Sequence, residues 1–336
     1  MAFENVTVPI MHGPNPDFAH NAGGVSALAS VRRAVPADAR VSTWTARDGW
    51  PLRRFDWIAH RARGRLLFQA GRGDFFEKYL ETIADFHARG WSVTSLDWRG
   101  QGGSGRLSDD PLIGHATDFR AFDADLADFW TQWRAEDDAP TAILGHSMGG
   151  MMVLRALAAG TIDPQAAILV APMLGLKSPF GLKISTRIAR FLATRNPARA
   201  AWKHNERPNT TLSRQTLLTH DAQRYLDERW WHETRPDLRL GPPSWGWLAE
   251  AFAGAGALLT DTRIESITAP VLMLVADADR LVDPRAAIAI AGRLPNARLI
   301  RFGRESAHEI LREADPVRAR ALAAMDAFLD ENVPRA

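Results

Sequence analysis

Residues 141–150 read TAILGHSMGG and run on into an Ala/Met/Leu-rich stretch that ends at Ala159. The first six form a short apolar run, the pattern of a strand buried on both faces. Residues 148–159 favour a helix. The pattern Gly145-His146-Ser147-Met148-Gly149 therefore sits on a strand-to-helix turn, the context a G-x-S-x-G nucleophile motif needs. Such a turn is strained, and flanking glycines remove the Cβ atoms that would collide in it. It would lift the Ser147 hydroxyl above the carboxyl edge of a sheet. The N–H of Met148, opening the helix, could then donate to an oxyanion.

Working outward, strands and helices alternate. VSTWTA (41–46) and WPLRRFDWIA (50–59) flank Asp48-Gly49, a hairpin signal. RLLFQ (65–69) reads as a strand, 74–89 as a helix that Asp74 can cap, and SVTSLD (92–97) as a strand. Residues 116–134 read as a helix with Phe119, Phe122, Leu126, Phe129 and Trp133 on one face. AAILVA (166–171) is the next strand. The alternation stops near Gly175 and resumes near Trp245 with a helix, PVLMLVA (270–276), a helix at 284–293, ARLIRF (297–302) and a final helix at 316–330. The expectation is an α/β fold, a mostly parallel eight-stranded sheet with helices on both faces. Residues 41–174 and 245–336 would form the core, 1–40 an N-terminal arm, and 175–244 an inserted helical cap.

A serine nucleophile needs a base, and the base needs an orienting acid. In this architecture the acid precedes the histidine in the chain. After Ser147 come His204, His220, His232 and His308, and only His308 follows a late core strand. Ligands meet such a sheet at the carboxyl ends of its strands. Asp277 and Asp279 compete in the loop after 270–276. Asp279 lies deeper, just before Leu281-Val282, whereas Asp277 can cap the turn or face solvent. A second oxyanion donor belongs in the loop after 65–69. There Gly71 and Gly73 permit close approach, and the N–H of Arg72 is the candidate. His146 is expected to turn away from the nucleophile into packing. His60, His87 and His115 read as structural, and Asp97, which precedes Ser147, reads as a loop brace.

Composition narrows the class. The 336 residues contain no cysteine, which excludes disulfides, a thiol nucleophile and thiolate metal sites. There is no apolar run long enough to span a membrane and no secretory leader pattern, so a cytoplasmic protein is expected. The net charge of +2 hides an imbalance, because residues 175–240 carry 13 basic and 6 acidic side chains. Within them KISTRIARFLATR (183–195) puts Ile184, Ile188, Phe191 and Leu192 on one helical face and Lys183, Arg187 and Arg190 on a neighbouring one. Such a helix either packs its apolar face on the core, toward which the sequence leans, or lies on an anionic membrane surface. No nucleic-acid-binding motif accompanies the charge.

Taken together, these residues resemble the α/β-hydrolase superfamily. More narrowly, the chain is similar to the bacterial lysophospholipase L2 and monoacylglycerol-lipase-like group, which is grouped with serine aminopeptidase-like hydrolases. The resemblance covers roughly residues 40–330. It rests on AGRGDFFEKY (70–79), LDWRGQGGSGR (96–106), GHSMGG (145–150), LTHDAQRYLDE (218–228), GPPSWGWL (241–248), VADADRLVDP (275–284) and AHEILRE (307–313). It implies Ser147 as nucleophile, Asp279 as acid, His308 as base, and oxyanion donors at the N–H groups of Arg72 and Met148. It also implies hydrolysis of a glycerol-lipid acyl ester, lysophospholipid first, then monoacylglycerol or a broad range of carboxylic esters. No metal or organic cofactor is implied. The chain departs from many relatives at Ala70, where they have His, and at Ala276, where they often have Gly. An aminopeptidase of this fold would need an acidic group in the cap. Glu206 or Glu233 could serve, but the positive balance there argues against it. Acyl transfer to an alcohol and a non-catalytic membrane-binding role are the remaining alternatives.

Overall fold

The computed structural model describes residues 31–202 and 212–335, except for the side chains of 212 and 213. His204, Glu206 and most of the expected N-terminal arm lie outside the described residues. Eight strands form one sheet: β1 (Arg40–Thr45), β2 (Pro51–Trp57), β3 (Gly64–Gln69), β4 (Trp91–Leu96), β5 (Thr141–His146), β6 (Ala166–Val170), β7 (Val271–Ala276) and β8 (Ala297–Phe302). Their order is β1-β2-β4-β3-β5-β6-β7-β8. β2 pairs antiparallel with β1 and with β4, and all the other pairings are parallel. The hairpin between β1 and β2 turns on Gly49 at φ +87°.

The helices are α1 (Leu80–Ala88), α2 (Arg120–Arg134), α3 (Met148–Ala159), α4 (Gly181–Arg195), α5 (Leu212–Leu218), α6 (Ala222–Thr234), α7 (Trp245–Thr260), α8 (Pro284–Ala291) and α9 (Asp315–Asn332). Alternate residues of each central strand feed two cores. Leu67, Ile143, Leu169 and Met273 pack with α2, α3, α7 and α8, for example against Phe122, Met151 and Ile290. Leu66, Phe68, Leu144, Ile168 and Leu274 pack with α1 and α9, where Phe86, Leu322 and Phe328 meet them. Burial on both faces is why these strands read as unbroken apolar runs.

Two helix starts differ from expectation. Residues 76–79 form a 3₁₀ turn, α1 begins only at Leu80, and Asp74 does not cap it. Its carboxylate is drawn off by the Gly71 N–H (2.9 Å), Lys78 (2.6 Å) and Tyr79 (2.8 Å). α2 starts at Arg120 rather than 116, where the Phe119 N–H donates to Glu250 of α7 at 3.1 Å.

α4 lies between β6 and α7 and packs against α7. Within α4 only Ser185 and Ala189 are buried. Ile184, Ile188 and Phe191 are 51%, 38% and 57% exposed. Leu182 is partly buried against the core, but Ile184, Ile188 and Phe191 are not packed on it, contrary to the leaning of the sequence for that face. α6 is fastened to the core by Arg224, which pairs with Glu81 (2.7 Å) and Asp315 (2.7 Å). Among the described residues no helix is long and apolar enough to cross a membrane.

The turn from β5 to α3 is pressed against β3. A Cβ on Gly149 would collide with the carbonyl of Gln69 and lie 2.5 Å from that of Ala70, and one on Gly145 would lie 2.7 Å from the Gly149 carbonyl. These are backbone atoms at the carboxyl end of β3 and in the first turn of α3, and they cannot step aside cheaply. Gly149→Ala should destabilise the protein by about 1–3 kcal/mol, the usual range for overpacking. An unchanged midpoint in urea unfolding would contradict this contact.

Candidate active site

Ser147 closes β5 at φ +51° and ψ −114°, a conformation uncommon for a residue with a Cβ. Its own backbone holds it there. The Ser147 N–H donates to Val170 at 3.0 Å, and its carbonyl accepts from Met151 at 3.1 Å and Met173 at 2.9 Å. The hydroxyl stands at the carboxyl edge of the sheet, where the loops after β3, β7 and β8 converge.

The structure brings Ser147, His308 and Asp279 into one hydrogen-bonded chain. His308 Nε2 lies 2.9 Å from Ser147 Oγ, and His308 Nδ1 lies 2.6 Å from Asp279 Oδ2. The other carboxylate oxygen of Asp279 accepts from the N–H groups of Leu281 (2.7 Å) and Val282 (3.0 Å). Asp277 is directed elsewhere, onto Arg301 at 2.9 Å. Burial alone would raise the Asp279 carboxyl, but the His308 charge and its hydrogen bond hold it below the usual carboxylate range. Burial likewise lowers His308, and Asp279 reverses that, leaving the imidazole above its ordinary value near 6.5. The His308 loop is tied to α5, because Glu309 N–H donates to the Leu218 carbonyl at 2.8 Å.

Met148 is the first residue of α3, so its N–H is one of the helix's unsatisfied donors. Arg72 lies in the loop after β3. A Cβ on the preceding Gly71 would come 3.1 Å from the Ser147 Cβ, so this loop passes close to the serine. Gly71 is held by Asp74 and the Gly73 N–H by Gln101 at 2.5 Å. The Arg72 guanidinium turns away, donating to the Gly241 carbonyl at 2.6 Å and stacking over Trp247 at 5.0 Å.

His146 is packed as expected, but it does not turn away from the site. It is buried, and its ring centroid lies 5.0 Å from that of His308. Its Nδ1 is 3.0 Å from the Tyr79 hydroxyl, which itself donates to Asp74. The phenolic proton is thus committed, and His146 Nδ1–H is left to donate toward the Tyr79 oxygen, with Asp74 Oδ2 a second acceptor at 3.4 Å. Behind the two histidines lies a charge cluster that sequence reading missed. Lys78 meets Asp74 (2.6 Å), Glu309 (2.6 Å) and Glu228 of α6 (3.1 Å). Arg312 meets Glu309 (2.5 Å) and Glu228 (3.0 Å), and Arg214 of α5 meets Glu228 at 2.8 Å. Burial would push all three carboxyls up, and the cations reverse this and hold them down. Four other histidines lie apart from the Ser147–His308–Asp279 chain. His115 bonds Ser244 (2.7 Å), His220 bonds Glu313 (2.9 Å), and His87 stacks on Trp57 (3.9 Å). Burial lowers His232 to about 4. Asp97 braces a loop through the N–H groups of Phe76 (3.1 Å) and Gly103 (2.9 Å).

Ser147 and His308 open into a cavity of about 460 Å³. Its walls come from α4, α7 and the segments beside them, and include Met173, Ile188, Trp202, Trp245 and Phe252.

The fold and this arrangement define an α/β hydrolase. The family model described as "Serine aminopeptidase, S33" matches residues 60–315. Lysophospholipase L2 of Escherichia coli (strain K12) is 30% identical over 314 residues, spanning 87% of this chain and 88% of that one. A soluble variant of the monoglyceride lipase of Saccharomyces cerevisiae superposes with a TM-score of 0.73 at 20% identity, over 91% of this chain and 98% of that one. Monoacylglycerol lipase of Paleococcus ferrophilus gives 0.65 at 21% identity, over 83% and 98%. The chain belongs to the serine aminopeptidase S33 family, and it is a carboxylic ester hydrolase.

The sequence expects His308 to act as a base, and a base must be neutral to accept a proton, so a raised His308 in that role would demand a more alkaline medium. The acid limb of the kcat/KM profile should lie above pH 6.5 in the native protein. In Asp279→Asn it should move to lower pH, because the group that raises His308 loses its charge, and kcat should fall steeply. A limb that stays in place would separate Asp279 from the base.

Proposed function

We propose that the protein hydrolyses acyl esters of glycerol lipids, lysophospholipids first and monoacylglycerols second, through an acyl-enzyme on Ser147. The observation that carries this is the continuous Ser147–His308–Asp279 chain at the floor of a cavity walled by apolar and aromatic side chains. The named activities of the relatives, lysophospholipase and monoglyceride lipase, support the choice of substrate. His308 Nε2 takes the hydroxyl proton as Ser147 Oγ attacks the ester carbonyl. Asp279 fixes the imidazole tautomer through Nδ1–H and steadies the imidazolium that forms. The backbone N–H groups of Met148 and Arg72 receive the oxyanion. His308 returns the proton to the departing alcohol, and a water repeats the sequence on the acyl-enzyme. Residues 175–244 act as the cap over the site.

Ser147→Ala should lose at least about 10³-fold in kcat and all labelling by a fluorophosphonate probe. The substrate class is read from one panel of lysophosphatidylcholine, monoacylglycerol, p-nitrophenyl butyrate and an aminoacyl arylamide. Cleavage of the arylamide or the short ester without either lipid would overturn the lipid reading.

The same reading includes a peripheral seat on the anionic inner face of the cytoplasmic membrane. Phe180, Ile184 and Phe191 are 61%, 51% and 57% exposed. Lys183, Arg187 and Arg190 run alongside them on α4. Phe180 and Ile188 also line the cavity, so the apolar stripe borders the entrance to the serine. An exposed apolar stripe beside a cationic one suits an interface of acyl chains and anionic headgroups. The protein should co-sediment with vesicles containing phosphatidylglycerol, more weakly with pure phosphatidylcholine. The pair Ile184→Glu/Phe191→Glu should weaken binding about tenfold or more, from lost apolar burial and added repulsion. Equal binding by the variant would remove α4 from the contact.

A further inference from the structure

The charged side chains that line the catalytic cavity are Arg72, Lys78, Lys177, Arg214 and Arg280, with Asp74 and Glu309 opposing them. Most already have partners. Lys78 is held by Asp74, Glu228 and Glu309, Arg214 by Glu228, and Arg72 by the Gly241 carbonyl and the Trp247 ring. Both acidic residues are consumed by Lys78. Lys177 and Arg280 differ, since neither side chain makes an ion pair or hydrogen bond among the described residues. The cavity wall thus presents two cations that meet no anion among the described residues.

Their backbones are not loose. The segment after β6 and the loop after β7 are zipped together, with Leu176 bridging Val282 antiparallel. Lys177 N–H donates to the Leu281 carbonyl at 3.1 Å, and Asp283 N–H donates to Gly175 at 2.9 Å. Arg280 directly follows Asp279, whose carboxylate locks that loop through Leu281 and Val282. Both cations are therefore carried by backbone held in register with the serine and histidine.

We infer that Lys177 and Arg280 form a phosphodiester-binding subsite that selects phosphate-bearing glycerol lipids over neutral ones. The inference rests on the lipid-ester reading and adds to it the residues that choose between its two substrates. A phosphodiester carries one negative charge over two free oxygens. A guanidinium fork and an ammonium can each take one of them in a charge-assisted hydrogen bond. A monoacylglycerol places only a hydroxyl there and leaves both cations uncompensated.

The test compares the full-length protein with Lys177→Ala/Arg280→Ala on octanoyl lysophosphatidylcholine and monooctanoylglycerol, both below their micelle concentrations, so that no lipid surface takes part. The ratio of kcat/KM for the phospholipid to that for the neutral lipid should fall about 10–100-fold, the range for one or two lost charged hydrogen bonds. The fall should lie mainly in KM, and Lys177→Arg should restore part of it. An unchanged ratio, with both substrates falling alike or neither falling, would overturn the subsite. A second arm measures competition by glycerophosphocholine against p-nitrophenyl butyrate, and it remains decisive even if neither lipid is cleaved. Competition that weakens about tenfold in the double variant supports the subsite, and no competition overturns it. Inorganic phosphate competing as well as glycerophosphocholine would reveal a bare anion site and overturn the headgroup assignment.

Discussion

Ser147 holds φ +51° between a strand buried along its whole length and a helix whose first turns are buried as well. A residue with a Cβ in so sparsely populated a backbone conformation costs roughly 1–3 kcal/mol, so the surroundings must over-determine it. They do so through backbone. Val170 accepts its N–H, and Met151 and Met173 both bond its carbonyl. Gly145, Gly149 and Gly150 let α3 close onto β3 and onto Pro172 at distances a Cβ would violate. The order of the central strands follows from the same demand. β5 lies between β3 and β6, which places the loop after β3 beside the serine and leaves β7 and β8 to bring Asp279 and His308 from the other side.

A second constraint lies behind the Ser147–His308–Asp279 chain. Seven titratable groups, Asp74, Lys78, His146, Glu228, Glu309, Arg312 and Tyr79, are all buried. Burying charges carries a large desolvation cost, and only close pairing offsets it. The pairing also spans the chain. Asp74 steadies the loop that carries Arg72, Glu309 follows His308 directly, and Glu228 belongs to α6 in the segment inserted between β6 and α7. The cluster thus links His308, the loop that carries Arg72 and the inserted helices. Moving α6 away would strand Glu228, and with it the balance around Lys78. Such an arrangement favours a fixed α6, and α4, with only Ser185 and Ala189 buried, is the less anchored side of the cavity.

Most of the framework was legible because each signal was local. Buried parallel strands announce themselves as apolar runs, and the strand-turn-helix around Ser147 requires glycines at fixed offsets. The loop positions of Asp279 and His308 followed from chain order. What could not be read depended on pairings between distant residues. Asp74 and Lys78 stand four apart and look like an ordinary helix-surface pair, but their partner Glu309 is 231 residues from Lys78. Asp74 likewise resembled a helix cap because its residue type suits that role, and only the three-dimensional claim of Gly71, Lys78 and Tyr79 on its carboxylate removes it. The direction of His146 was misjudged for a related reason. A strand residue next to the serine should point to the opposite face, but the positive-φ turn and the approach of the His308 loop bring the two rings together.

The basic balance of the inserted segment shows how composition and structure divide the labour. The count of 13 basic against 6 acidic residues between 175 and 240 treats every cation alike. Among the described residues two groups of them stand out. Arg214 and Arg224 spend their charge on Glu228 and Glu81, so they tie α5 to α6 and α6 to the core, while Arg229 and Arg235 pair locally with Glu233 and Asp237. Lys177, Lys183, Arg187 and Arg190 make no ion pair among the described residues, and all lie on or just before α4. The excess charge is therefore concentrated on one side, where Phe180, Ile184 and Phe191 are also exposed. Helical periodicity predicted two faces for α4, but it could not say which one the core would take. Ser185 and Ala189 answer that. A stripe of small residues allows close approach to α7, and that leaves the large apolar and the cationic faces together at the entrance to the serine.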